Sequence, residues 1–437
     1  MILKSTQDIL DWLDHKKSVV HVEINKTSLN SLSNWKLDSK KIFHESGKFF
    51  SICGMEIETN WGGVPSWSQP IIHQPEIGIL GIISKKINNE IYFLLQAKIE
   101  PGNINKVQLS PTLQATKSNY TKVHGGKPPN YLNYFLSKNK IILLDQLQSE
   151  QGARFLHKRN RNIIIMVEED IKVIDEYIWL TLDQIKCLMR YDNIINMDTR
   201  SVIAGININR KNIETFEIEN EKCLFNFNKL LSWIADQKSK FYLKTKIISL
   251  TEVEEWEIKN DRIHHIDEKY FEVIGADVKI SNREVINWSQ PMIETKEKGL
   301  IVFILKFIDD TPHFLVQAKV EIGNLDIIEL APTIQCLTGS YEGKDKTMLP
   351  FIEYVDGSMP SNIIYDTMQS EEGGRFYREQ NRNMIITVDQ DFPNAVPDNF
   401  IWMTYDQIHT FMKFSNYVNI QARSLLSAVS TSDEKNY

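Results

Sequence analysis

The chain repeats itself. WSQP at Trp67 to Pro70 returns at Trp288 to Pro291, and FLLQAKIEPGN at Phe93 to Asn103 returns as FLVQAKVEIGN at Phe314 to Asn324. QSEQGARF at Gln148 to Phe155 returns as QSEEGGRF at Gln369 to Phe376, and the NRN triplet at Asn160 returns at Asn381. All these matches share one offset of 221 positions, which also joins Trp12 to Trp233 and Trp35 to Trp256. Past Val167 the offset grows by two residues, joining Trp179 to Trp402 and Thr181 to Thr404. A constant offset over so many positions means tandem duplication of one structural unit. At 437 residues the chain also exceeds what a single core usually supports. Two domains are expected, 1–221 and 222–437, with the boundary in the polar stretch around 210–225. That stretch shows no Gly/Ser or Pro enrichment, so the halves should pack rather than tumble.

Local patterns place helices and strands in each copy. Ser5 and Asp8 form a capping box ahead of the apolar face Ile9, Trp12 and Leu13. Thr181 with Gln184, and Thr404 with Gln407, open a late helix in each half. Strand-like runs lie at 18–24, 77–84, 91–100 and 162–168. Strands mixed with few helices give an α+β (mixed α/β) fold.

Composition narrows the class. A formal net charge of −7 argues against a general nucleic-acid binder. Four scattered cysteines, with no Cys-x-x-Cys pair, suit free thiols in a reducing cytosol. The N-terminal stretch carries acids inside its apolar run, unlike a signal peptide, and no run of about 18 apolar residues appears. The chain therefore reads as cytoplasmic. Dinucleotide, P-loop, zincin and nucleophile-elbow motifs are missing, and the ten histidines form no metal cluster, so neither cofactor nor metal is signalled.

Four features could carry chemistry. On the 93–100 strand, Gln96, Lys98 and Glu100 share a face, as do Gln317, Lys319 and Glu321 in the second copy. A half-solvated strand shows the same alternation and is the commoner explanation of it. Basic islands follow, RFLHKRNRN with Arg154 and RFYREQNRN with Arg375, and Arg presents a planar fork suited to a pyrophosphate. Each island is expected to serve the pocket of its own copy; a solvated turn paired with surface acids is the alternative. Trp67 and Trp288 precede a Pro that ends or edges a strand, where an indole stacks on a base or sugar face or simply fills core. Arg200-Ser201 and Arg423-Ser424 close the units, as ligand contacts or as ties for the last helix.

The motifs WGGVPSWSQP (61–70), LLQAKIEPGN (94–103), QLSPTLQATKSNY (108–120), QSE-x-G-x-RF and NRN together resemble the NDP-hexose 2,3-dehydratase family over nearly the whole chain. The resemblance implies two tandem Nudix-like domains whose metal box is missing. After Gly102 and Gly323 come NINKVQLSPTLQ and NLDIIELAPTIQ, without the clustered glutamates of a Mg²⁺ cage. Phosphohydrolysis should thus be lost while a nucleotide diphosphate is still bound. The implied reaction removes water across carbons 2 and 3 of dTDP-4-keto-6-deoxy-D-glucose, giving a 3,4-diketo-2,6-dideoxy sugar for deoxysugar synthesis. A nucleotide-sugar-binding protein without activity is the alternative.

The resemblance further implies a homodimer, a downstream 3-ketoreductase, and up to two pockets per chain for the dTDP-sugar. Lys319, Glu371 and Tyr341 are the catalytic candidates, with Lys98, Glu150 and Tyr120 as their first-copy counterparts. Substrate-binding candidates are Trp67, Gln96, Lys98, Gln114, Tyr120, Ser149, Glu150, Arg154 and Asn160 in the first copy. In the second they are Trp288, Gln317, Gln335, Ser370, Gly373, Arg375, Asn381 and Arg423. His124 has no second-copy counterpart, an asymmetry suggesting that the two pockets have diverged.

Overall fold

A computed structural model describes residues 2–116, 128–207, 222–259, 261–281, 285–337, 349–357 and 359–429. The polar stretch expected to hold the boundary lies largely outside them. Both halves open as their sequences dictate. Ser5 caps helix α1 (Thr6–Ser18), its hydroxyl accepting from the Asp8 amide at 3.1 Å while Asp8 accepts from the Ser5 amide at 3.3 Å. Asn226 caps the counterpart, α2 (Phe227–Lys240). Ile9, Leu13, Leu230 and Ile234 turn their apolar face into the core. The late helices Leu182–Leu188 and Tyr405–Met412 begin with the Thr–Gln capping boxes read from the sequence.

Each copy lays down its strands in the same order. In the first these are β1 (Val22–Thr27), β2 (Trp35–Leu37), β3 (Lys41–His44), β4 (Ser51–Thr59), β5 (Ser66–His73) and β6 (Gly78–Ile87). There follow β7 (Glu90–Ile99), β8 (Val107–Ser110), β9 (Leu113–Ala115), β10 (Ile141–Ser149), β11 (Arg159–Met166) and β12 (Tyr177–Thr181). The second copy continues with β13 (Leu243–Ile248), β14 (Trp256–Lys259), β15 (Arg262–His265), β16 (Glu272–Ile280), β17 (Asn287–Glu294) and β18 (Gly299–Ile308). It ends with β19 (Thr311–Val320), β20 (Ile328–Ala331), β21 (Ile334–Cys336), β22 (Asn362–Ser370), β23 (Gln380–Val388) and β24 (Phe400–Thr404).

A mixed seven-stranded sheet forms the centre of each half, ordered β10-β11-β6-β7-β12 in the first and β22-β23-β18-β19-β24 in the second. Beside them stand two five-stranded sheets, and here the copies exchange parts. β1 pairs antiparallel with β16 of the other half, Val22 opposite Ile280, and β13 pairs with β4, Leu243 opposite Thr59. The leader strand of each repeat completes the partner repeat's sheet. Pro70 and Pro291 sit on β5 and β17, which hydrogen-bond as strands to one neighbour only, so the missing amide costs no ladder bond.

Loops interlock in the same crossed manner. The Gly102 amide donates to the Gly373 carbonyl and the Gly323 amide to the Gly152 carbonyl, both at 2.7 Å. A Cβ on Gly102 would stand 1.6 Å from the Phe376 carbonyl, and one on Gly323 1.8 Å from that of Phe155. Only hydrogen fits there. Phe155 and Phe376 meet edge to face at 5.8 Å across this joint. One apolar core runs through both halves, including Leu95 and Ile178 from the first and Phe303 and Met403 from the second. The repeats interleave rather than sit side by side.

All four cysteines are free, and no helix among the described residues is long and apolar enough to cross a membrane.

Candidate active site

The crossed architecture opens a cavity of about 1580 Å³ between the halves. Its floor is the end of β7, where Gln96, Lys98 and the following Glu100 line the cavity together with Ala97 and Ile99, while Phe93 and Leu95 enter the apolar core. The alternation read from the sequence is a pocket wall, not a solvated face. Gln114, Glu150, Lys158, Asn160 and Asp198 extend the floor. The opposite wall comes from the second half, with Trp288 and Gln290 on β17 followed by Glu372 and Arg375. Trp35, Phe49 and Phe50 of the first leader close the rim. Trp35 is fixed there because its indole N–H donates to the Ser289 carbonyl at 2.9 Å.

The charges are closely coupled. Lys98 Nζ lies 3.3 Å from Glu100 Oε1, which also accepts from Gln114 Nε2 at 2.9 Å. Glu150 Oε1 accepts from Asn160 Nδ2 at 2.5 Å. Burial raises the Glu150 pKa against the opposing pull of Lys158 and Arg423. Burial also draws Lys158 down to about 8, while its ammonium donates to the Glu76 carbonyl. Asp198 is 2% exposed; burial, then the Glu150, Glu372 and Glu100 carboxylates, lift its pKa well above the usual range. Glu372 rises to about 7, with burial the main cause and Arg375 opposing it. The Arg375 guanidinium lies over the Phe50 ring at 4.2 Å and donates from Nη1 to the Gly374 carbonyl at 2.9 Å. Its buried Nε has no partner among the described residues. A cationic fork with a donor left over, opposite a carboxylate-rich floor, can hold an anionic group at one end and move protons at the other.

The sequence profile of the NDP-hexose 2,3-dehydratase family matches residues 6–206 and again 227–429. The chain belongs to that family. A 40% identical relative from Saccharopolyspora spinosa, aligned over 96% of this chain and 90% of its own length, is named dTDP-4-dehydro-6-deoxy-alpha-D-glucopyranose 2,3-dehydratase. Relatives of the same name from Streptomyces violaceoruber (39% identical; 99% of this chain, 98% of theirs) and Amycolatopsis orientalis (37%; 97% and 90%) agree.

In this member of the family the second copy repeats much of the floor. Gln335 Nε2 donates to Glu321 Oε1 at 2.8 Å, Asn381 donates to Glu371, and Lys319 Nζ lies 3.5 Å from the Gln335 carbonyl. Gln317 occupies on β19 the position that Gln96 has on β7. The leading arginines of the basic islands, however, cross over, while Lys158 of the first island stays in the first copy's floor. Arg375 belongs to the cavity floored by the first copy. Arg154 sits over Phe271 at 4.2 Å, under the influence of Glu379, Glu321 and Glu371. The expectation that Arg154 and Arg375 each serve their own copy is corrected, because each QSE-x-G-x-RF loop docks on the other half's EPGN or EIGN loop. Other arginines of the islands are surface ties: Arg161 forks onto Asp145 at 2.7 and 2.5 Å, and Arg382 onto Asp366 at 2.9 and 2.6 Å.

Several expected site residues stand in the joint between the halves, away from the large cavity's lining. Arg423 donates to Ser201 Oγ at 3.1 Å and to the Ser149 carbonyl at 2.5 Å, while Arg200 donates to Ser424 Oγ at 2.7 Å and the Ser370 carbonyl at 2.6 Å. Ser149 Oγ donates to Glu329 at 2.7 Å and Ser370 Oγ to Gln108 at 2.9 Å. Gly373 holds the interlock, where a Cβ would meet Asn103 Oδ1 at 2.3 Å. Trp288 lines the cavity with its N–H on Gln290 at 2.9 Å; Trp67 makes the same bond to Gln69 at 3.0 Å and packs beside the cluster of Leu156 and Ile322. Tyr120, Tyr341 and His124 lie outside the described residues. Asp198, Glu372, Trp35 and Phe50 escaped the sequence reading. For two of them a signal existed, since Asp198 and Glu372 stand where the other copy has Gln421 and Gln151.

Proposed function

We propose that the chain removes water across carbons 2 and 3 of dTDP-4-keto-6-deoxy-D-glucose, giving a 3,4-diketo-2,6-dideoxy nucleotide sugar. The carrying observation is a cavity that sets an underused arginine against a floor of carboxyls, in a member of the hexose dehydratase family. The substrate's 4-ketone acidifies the C3 proton, so a base, an acid and a cation near the enolate oxygen suffice and the chemistry needs no cofactor. Arg375 faces the diphosphate, Trp288 or Trp35 offers an indole face to the base, and Lys98 steadies the enolate. The sequence's catalytic candidates Lys319, Glu371 and Tyr341 belong to the second set; in the large cavity Lys98 takes the place of Lys319, and Glu150, the counterpart of Glu371, holds Asn160 in the floor.

The same reading makes each half a Nudix-like unit that has lost its metal box. It also includes a cytosolic homodimer acting ahead of a 3-ketoreductase, which would reduce the reactive diketone. Incubation with the 4-keto-6-deoxy nucleotide sugar in deuterated water plus EDTA tests the activity. Loss of one water with deuterium entering the product is expected. Unchanged substrate would point to a binding protein, and release of a nucleoside monophosphate to a hydrolase; either would overturn the proposal.

A further inference from the structure

Two carboxyl groups in the large cavity stand apart from their neighbours. Among the described residues Asp198 Oδ1 and Glu372 Oε2 are buried without a hydrogen-bond partner, although both residues line the cavity. Glu372 Oε1 accepts from the Gly374 amide at 3.0 Å, whereas the adjacent carboxylates are engaged by side chains: Glu100 by Lys98 and Gln114, Glu150 by Asn160. An unpartnered buried carboxyl oxygen is costly and calls for a reason. Here a substrate in the cavity supplies one.

The duplication separates scaffold from chemistry. Gln96, Lys98, Glu100, Gln114, Glu150 and Asn160 recur as Gln317, Lys319, Glu321, Gln335, Glu371 and Asn381. Asp198 and Glu372 do not recur; the other copy carries Gln421 and Gln151, amides that keep the shape but exchange no proton at neutral pH. In that second set Glu371 has both oxygens occupied, by Asn381 and Gln151. Among the described residues its unpartnered acid oxygens are those of Glu379, which stands where the large cavity has Lys158, and Glu329 Oε1, in a carboxyl whose other oxygen accepts from Ser149. Elimination needs two groups, one to accept a proton and one to give it. The large cavity has both.

We propose that Glu372 and Asp198 are the acid–base pair of the dehydration, Glu372 taking the C3 proton and Asp198 protonating the departing C2 hydroxyl; this rests on the dehydratase reading above. Glu372, facing Arg375, is the carboxylate. Asp198, the more deeply buried and surrounded by Glu150, Glu372 and Glu100, carries the proton. Electrons from the C3–H bond pass into the 4-ketone, giving an enolate near Lys98. As the ketone re-forms, the C2–O bond breaks and the hydroxide leaves as water with the Asp198 proton. The product of this step is a C2=C3 enol bearing the C3 hydroxyl. Glu372, its proton exchanged with solvent, then protonates C2 while Asp198 takes the hydroxyl proton from C3, leaving the 3-ketone and both carboxyls as they began.

The test compares Glu372→Gln and Asp198→Asn with wild type in deuterated water, following water loss and deuterium entry at C3 of recovered substrate. Both variants should lose turnover by ~10²- to 10⁴-fold, the range of general acid–base catalysis. Glu372→Gln should also stop wash-in at C3, whereas Asp198→Asn should retain it. Thymidine diphosphate should bind both within about threefold of wild type, since no contact to the diphosphate is removed. Glu372→Gln installs the residue that Gln151 already provides in the other copy, so folding should tolerate it. If Asp198→Asn fails to fold in a thermal melt, the wash-in result for Glu372→Gln decides alone. Turnover above a tenth of wild type in a folded Glu372→Gln, or wash-in that survives it, overturns the pair. A wild-type chain that binds thymidine diphosphate yet never dehydrates the sugar overturns the dehydratase reading itself, and the pair with it.

Discussion

Arginine is used in three ways in this chain, and its surroundings decide which. Arg161 and Arg382 fork onto exposed aspartates and contribute little, as surface pairs do. Arg200 and Arg423 are buried with their donors engaged across the joint, so losing either leaves carbonyls and hydroxyls unsatisfied. Arg375 and Arg154 keep donors in reserve, Nε in the first and Nε with Nη2 in the second. Removing the Arg375 side chain should weaken thymidine diphosphate binding in the large cavity by about 1.5 kcal/mol or more, the scale of a charge-assisted hydrogen bond. Arg154→Ala should spare that cavity, its guanidinium lying with the opposite set. Titration calorimetry on both variants distinguishes this crossed assignment from one in which each arginine serves its own copy.

Among the elements, the Gly102 and Gly323 turns carry the joint. Each brings its backbone so near the opposing loop that a methyl group would enter the carbonyl shell of Phe376 or Phe155. Backbone cannot step aside as a flexible side chain can, so Gly102→Ala should cost about 3 kcal/mol or more. Denaturant unfolding would show it as a lowered midpoint, and an unchanged midpoint would mean the interlock is looser than described. The exchanged strands work to the same end. β1 and β13 have their ladder partners in the other repeat, and the β1–β16 pair also brings Asn25 and Lys279 to the cavity.

The molecule as a whole stores acid in its interior. Glu329, Glu371 and Glu372 are pushed up to about 7 and Glu379 to about 8, burial being the main cause in each. A carboxyl whose folded pKa is raised binds its proton more tightly folded than unfolded. Its contribution is full below the ordinary value near 4.5 and is lost as pH rises through 7 to 8. His73, His157 and His313, lowered by burial, act oppositely below their ordinary 6.5, and Lys158 does so above about 8. Between these limits the carboxyls dominate. The ligand-free protein should therefore melt at a lower temperature at about pH 8 than at about pH 6.5. Scanning fluorimetry at the two values checks it, and an equal or higher melting point at the upper one would contradict it.

Periodicity and duplication made much of this legible from residues alone: the capped helices at Ser5, Thr181 and Thr404, the inward face of Gln96, Lys98 and Glu100, and the doubled unit itself. These are local properties, fixed by side-chain spacing along one element. The pairing of β1 with β16, the transfer of Arg375 to the first copy's floor and the meeting of Asp198 with Glu372 join residues from distant parts of the chain. Two similar repeats offer a leader strand two comparable partners, its own sheet or its sister's. No local pattern distinguishes them, so only the packed structure decided which copy each residue serves.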